Sequence, residues 1–163
     1  IYAIGDVNGK VMLAHTASHE GMVAGADLCG HQEAMNYERI PSCIYLDPEI
    51  ACIGLTEAQA RERYGEDGIK VGRFQMAANG KSLVEGDTDG LFKVIVDAEY
   101  GEILGVHLYG KHVTDMISEI SVAMTAEATA EEIIQSIHPH PTVSEALAEA
   151  FRAAWDGRAI NSL

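Results

Sequence analysis

Hydrophobic and polar positions change their period several times along the chain, and those changes mark its elements. The opening run Ile1-Tyr2-Ala3-Ile4 leads into Gly5-Asp6 and reads as a short buried strand. Small residues dominate from about Ala14 to Cys29 and predict a helix, with Gly30 as its C-terminal stop. Gly21 and Gly25 inside it cost about 1 kcal/mol each against alanine, which implies a close packing neighbour. This first block resembles the end of an α/β domain.

The pattern then turns to short β-rich pieces, Cys43–Leu46 and Ile50–Ile53, flanked by Pro41 and Pro48. Thr56-Glu57-Ala58-Gln59 is a capping box that starts a helix ending near Gly65. Ile69–Met76, Leu91–Val96 and Ile103–Leu108 read as three further strands. The turns at Gly86–Gly90 and Asp97–Gly101 are rich in Gly and Asp, and short turns imply antiparallel pairing. Helical spacing returns at about Asp115–Thr125, Glu131–Ile137 and Ser144–Ala154. The predicted class is α+β: an antiparallel sheet of about five strands with helices packed on one face, preceded by a βα piece. The boundary is expected near residues 36–40.

The chain has 163 residues, enough for one ordinary domain and a fragment of another. With 47% hydrophobic and 22% charged residues it has the material for a core and no signature of disorder. Lys+Arg 11 against Asp+Glu 25 gives a net charge of -14, which argues against nucleic acid or an anionic membrane surface as partner. No apolar run approaches the roughly 18–20 residues of a membrane span. The chain begins at Ile1 without an initiator Met or a signal peptide and reads as a piece of a longer protein. Cys29, Cys43 and Cys52 show no C-x-x-C spacing, which fits free thiols in a reducing cytoplasm.

The densest chemical signal is His138-Pro139-His140-Pro141-Thr142-Val143-Ser144-Glu145. A histidine is the usual general base near neutral pH, and a carboxylate on its other ring nitrogen sets its orientation. Pro139 and Pro141 stiffen the loop around His140, and a cis His140-Pro141 bond is compatible with the sequence. Thr142-Val143-Ser144-Glu145 is equally a capping box, with Thr142 as N-cap and Glu145 at N3. On this reading the two roles of Glu145 compete, because a side chain bent back to cap the helix is taken from the imidazole. His138 and His140 also form an H-x-H metal pair, but no other close-spaced ligand cluster supports a metal.

A second constellation is Gly5-Asp6 followed by Met12-Leu13-Ala14-His15 at a helix start. A carboxylate after a glycine turn can accept from a polyol hydroxyl, and free N–H groups at a helix start suit an electron-rich ring edge or a phosphate. The plain alternative is a turn followed by a capped helix. His15 and His19 share a helical face that is either solvated or metal-binding. Ala77-Ala78-Asn79-Gly80-Lys81 reads as a loop, with anion binding as the alternative. Met116, Ile120 and Met124 read as core or subunit interface.

Together these segments resemble the pyridine-nucleotide–disulfide oxidoreductases. The A-I-G-D and M-L-A-H-x-A-x-x-E-G patterns of Ile1–Gly21 resemble the end of their FAD domain, and the chain from about Tyr37 resembles their interface domain. H-x-H-P-T-x-S-E is similar to the dihydrolipoamide dehydrogenases within that family. The resemblance implies that residues 1–38 end an FAD-binding domain and that 39–163 form a dimerisation domain. It further implies that Asp6 holds the ribityl chain of FAD, with Met12, Leu13, Ala14 and His15 along the flavin. His140 then matches the general base for the dithiol substrate and Glu145 its orienting carboxylate; His138 matches no catalytic role. Pro139 stands where the family usually has alanine. FAD and NAD are expected cofactors of the full-length enzyme, with none expected on this chain alone. The expected partners are a second copy, because the histidine and the redox disulfide come from different subunits, and the dihydrolipoyl groups of 2-oxoacid dehydrogenase or glycine cleavage complexes. A module that only self-associates, or an interface domain of a glutathione-reductase-like enzyme, is the alternative. The family's G-x-G-x-x-G, its C-x-x-x-x-C pair and its NAD domain are absent from these residues.

Overall fold

In the computed structural model, which describes residues 1–161, the β-rich middle of the chain forms one sheet. Its strands are β1 (Ser42–Ile44), β2 (Glu49–Gly54), β3 (Ile69–Gln75), β4 (Leu91–Asp97) and β5 (Ile103–Gly110), in the order β1-β2-β5-β4-β3. Every neighbouring pair is antiparallel. Asp97 closes the turn between β4 and β5, its carboxylate accepting from the N–H groups of Glu99, Tyr100 and Glu102. That requirement explains the acidic residue at this turn.

Alternation along the strands writes two unequal apolar faces. Phe74, Phe92, Val94, Val96, Val106 and Leu108 point into the main core. There they meet three helices: α4 (Val113–Thr125), α5 (Ala130–Gln135) and α6 (Glu145–Trp155). Ile69, Ile95 and Leu104 point the other way and pack with Ala60 of α2 (Glu57–Tyr64). The α+β class and the five antiparallel strands are as the sequence predicts; α2 adds a small cluster on the face opposite α4–α6. The predicted capping box of α2 is made in full: Thr56 Oγ1 accepts the Gln59 N–H at 3.3 Å and Gln59 Oε1 accepts the Thr56 N–H at 2.9 Å.

One local expectation fails in this unit. The stretch read as a loop at Ala77–Lys81 opens α3 (Gly80–Glu85), because the Asn79 side chain accepts the Ser82 N–H at 3.0 Å and caps a short helix. The seating of α6 depends on a missing side chain. A Cβ on Gly72 of β3 would stand 2.0 Å from the Ala150 carbonyl oxygen and 2.4 Å from the Ala154 nitrogen. The helix backbone therefore lies directly on the strand.

Residues Ile1–Ile40 form a separate compact unit. The strand expected over Ile1–Asp6 is not there; Gly5–Asn8 form a 3₁₀ turn instead. A strand exists only by exchanging N–H and C=O groups with a neighbour, and among the described residues this unit has no second strand. Helix α1 (Ala14–Leu28) matches expectation. A Cβ at Gly21 would meet Ile4 Cδ1 at 3.5 Å, whereas one at Gly25 would meet nothing within 4 Å, so close packing explains only the first. The organiser of the unit is Glu20, whose buried carboxylate accepts from the Gly5 N–H at 2.6 Å, Asn8 Nδ2 at 2.8 Å and the Tyr37 hydroxyl at 2.8 Å. These donors, the Gly5 N–H foremost, hold its carboxyl below the usual range.

Replacing Gly72 by alanine should lower stability by roughly 3 kcal/mol, the upper range for an overpacked core. Urea unfolding checks this, and an alanine variant as stable as the parent would mean that α6 does not rest on β3.

Candidate functional site

The loop between α5 and α6 carries His138 and His140, and each ring is bound to its own carboxylate. His140 Nδ1 lies 2.9 Å from Glu145 Oε1. With the carboxylate ionised, that nitrogen carries the hydrogen and donates it, which leaves the lone pair on Nε2. The His140 side chain is 76% exposed, so Nε2 is the nitrogen that an outside proton donor can reach.

Glu145 opens α6, and its second oxygen is also engaged: Oε2 accepts the Thr142 N–H at 2.9 Å. Glu145 therefore ties the loop with one oxygen and the imidazole with the other, the main-chain bond lying ahead of the helix N-cap. The capping box expected with Thr142 as N-cap and Glu145 at N3 is not formed. Helix α6 has Ser144 at its N-cap with no side-chain cap bond, Glu145 is its first residue, and the Thr142 hydroxyl donates to the Pro139 carbonyl at 2.7 Å. Burial works to raise the Glu145 carboxyl, but the Thr142 N–H and the His140 ring together hold it below its ordinary value. The His140-Pro141 bond is cis. Val143, three residues beyond His140, is buried in the main core, which roots this loop in the sheet.

His138 has a different task. Its Nε2 lies 2.9 Å from Glu119 Oε1 on α4, and its Nδ1 lies 3.2 Å from the Ser136 carbonyl oxygen. Both ring nitrogens face acceptors, an arrangement that only the doubly protonated imidazolium satisfies. Glu119 accordingly raises the His138 pKa, against burial and the nearby Arg152. Each histidine pairs with a carboxylate on a different helix, so the H-x-H pair is not pooled into one metal centre. Among the described residues no group of three or more His, Cys, Asp or Glu side chains is arranged to hold a metal ion.

Two polar groups of this region lie outside the sequence motif. Asn79 donates through Nδ2 to the Thr142 carbonyl at 3.1 Å. An asparagine directly before Gly80–Glu85, with Gly86 after it, is the signal that would have revealed the helix and its cap. Glu119 had no such signal, since only packing brings α4 against the loop.

The second predicted site lies in the first unit. Asp6 is exposed on the 3₁₀ turn; Met12, Ala14 and His15 are exposed at the start of α1, and Leu13 is partly covered. Leu13 occupies the N-cap position of α1, and its side chain makes no cap hydrogen bond. The exposed Asp6 carboxylate can accept from the hydroxyl groups of an elongated polyhydroxylated ligand. Cys29, Cys43 and Cys52 are free thiols, with Cys43 and Cys52 pushed up by burial. No helix among the described residues is long and apolar enough to cross a membrane.

Comparison with known proteins gives one family. The pyridine nucleotide-disulphide oxidoreductase dimerisation domain matches residues 40–151. A dihydrolipoyl dehydrogenase of Bacillus subtilis is 49% identical over 99% of this chain, which covers 34% of that protein. A chloroplastic dihydrolipoyl dehydrogenase of Arabidopsis thaliana is 42% identical over 94% of this chain and 28% of its own length. The chain thus spans about a third of the length of the curated relatives it matches. Among solved structures, the flavoprotein disulfide reductase RclA of Escherichia coli superposes with a TM-score of 0.82 at 29% identity, over 93% of this chain and 35% of that one. LpdA of Mycobacterium tuberculosis shares the fold, with a TM-score of 0.86 at 23% identity over 93% of this chain and 33% of that one.

Replacing Glu119 by Gln should destabilise the chain most at low pH. A raised folded-state pKa makes the His138 contribution complete below the unfolded value of about 6.5, and the contribution fades as pH rises through the folded value. Urea unfolding at about pH 5.5 should show a loss of about 1 kcal/mol, since Glu119 is partly solvated, and almost none near pH 9. An equal loss at both pH values would rule out the charged pair.

Proposed function

The chain belongs to the pyridine nucleotide-disulphide oxidoreductase family through its dimerisation domain, and from that premise we propose that it is the C-terminal third of a dihydrolipoyl dehydrogenase. Residues 1–38 complete an FAD-binding domain, and 39–163 form the dimer interface and present a general base to the partner's redox disulfide. The observation that carries this reading is His140, whose Nδ1 is held by Glu145 while the rest of the ring stays open to solvent.

The chemistry follows from the thiol. A free thiol has a pKa near 8.5, yet only the thiolate attacks a disulfide. His140 Nε2 takes the proton from one thiol of a dihydrolipoyl group as that sulfur attacks the enzyme disulfide. The S–H bond breaks, a mixed disulfide forms, and the displaced enzyme sulfur leaves as a thiolate. Glu145 keeps the Nδ1 hydrogen in place and stabilises the imidazolium as it forms. The second substrate thiol gives its proton to the enzyme thiolate already released as its sulfur displaces the remaining enzyme sulfur. That sulfur leaves as a thiolate beside the imidazolium, and oxidised lipoamide closes. When bound, FAD supplies the two-electron relay from the resulting dithiol to NAD+.

Asp6 and the Met12–His15 segment are the residues of this chain that would hold FAD. The dihydrolipoyl groups come from 2-oxoacid dehydrogenase or glycine cleavage complexes, and the site is complete only in a homodimer. Free Cys29, Cys43 and Cys52 suit a reducing cytoplasm.

In the full-length enzyme, His140→Ala should lower dihydrolipoamide oxidation by about 10²–10⁴-fold, the usual weight of a positioned base, with FAD content unchanged. Glu145→Gln should cost about 10–100-fold. Steady-state kinetics with NAD+ checks both, and full turnover in His140→Ala would overturn the assignment.

A further inference from the structure

Asn79 does more than a helix cap requires. An N-cap needs only an acceptor, which serine, threonine or aspartate supplies as well as asparagine. Here the acceptor Oδ1 takes the Ser82 N–H at 3.0 Å, and the amide nitrogen, which none of those alternatives has, donates to the Thr142 carbonyl at 3.1 Å. The residue is 4% exposed, so neither bond is exchanged cheaply for water. Its root is equally fixed: the Asn79 N–H bonds the carbonyl of Met76, a core residue whose own N–H bonds the Gly90 carbonyl.

Thr142 is where this anchor meets the histidine. Its N–H, at 2.9 Å, is the group that fixes Glu145 Oε2, and Glu145 Oε1 fixes the ring. Asn79 therefore holds one side of the residue whose other side holds the carboxylate. A Cβ on Gly80 would stand 3.9 Å from His140 Cε1, so α3 begins directly beneath the imidazole. We propose that Asn79 is a positioning residue for the His140–Glu145 pair, acting through Thr142 to fix the carboxylate and, through it, the direction of the ring. This rests on the reading of His140 as the base.

The test uses the full-length enzyme. Asn79→Ser keeps a cap but is too short to reach Thr142; Asn79→Asp keeps the acceptor and sets an anion against the Thr142 carbonyl. Both should lower kcat for dihydrolipoamide oxidation about tenfold or more, as expected for a misdirected group, with KM and FAD content unchanged. Combined with Glu145→Gln, Asn79→Ser should cost nothing further, the double variant matching Glu145→Gln within about twofold. A merely structural contribution would multiply the losses. Wild-type kcat in both Asn79 variants, or multiplied losses, would overturn the proposal. His140→Ala separates the two readings: if it abolishes turnover while the Asn79 variants remain at wild-type kcat, only the role of Asn79 falls, and if it retains turnover the base assignment itself falls.

Discussion

The arrangement at the C-terminal end of the fold depends on one carboxylate used twice. Glu145 gives one oxygen to a main-chain N–H and the other to an imidazole, each at 2.9 Å. The main-chain bond fixes the carboxylate relative to the loop, and the second bond can then orient the ring. Neither would hold alone, because a solvated histidine bound to a freely rotating glutamate loses most of its orientation to side-chain entropy. The carboxylate is itself fixed because it opens α6, a helix seated on β3 through Gly72 and filled beneath by Leu147 and Phe151.

The two neighbouring histidines show how the same residue type is put to opposite uses. His138 is turned inward, with acceptors at both nitrogens, and ties the loop to α4 as a cation. His140 is turned outward with one nitrogen engaged. Two residues of spacing in a stiff, proline-flanked loop send the rings in different directions, so a structural anchor sits beside the group proposed as the base. The chain covers about a third of its relatives' length, and on the proposed reading the remaining parts, a disulfide from the partner and a flavin, come from elsewhere in the full-length dimer.

Much of the architecture was legible because it rests on local rules. Alternation in Leu91–Asp97 and Ile103–Gly110, the Asp97 turn and the Thr56–Gln59 box each contain the reason for their own structure. The misses share a cause. Ile1–Asp6 has strand-like composition but no pairing partner in its unit, and Ala77–Lys81 looked like a loop until Asn79 was seen to cap a helix.

The residues by themselves determined the antiparallel sheet and the order of its strands along the chain, and they placed His140 and Glu145 in one short motif. The pairing of the two came from the family resemblance, since the residues alone left Glu145 between the ring and a helix cap. Only the tertiary structure decided how Glu145 divides its oxygens, that His138 belongs to Glu119, and that Asn79 reaches Thr142. Those contacts join residues 19 and 63 positions apart, and a hydrogen bond over such a distance exists only where packing has already brought its donor and acceptor together.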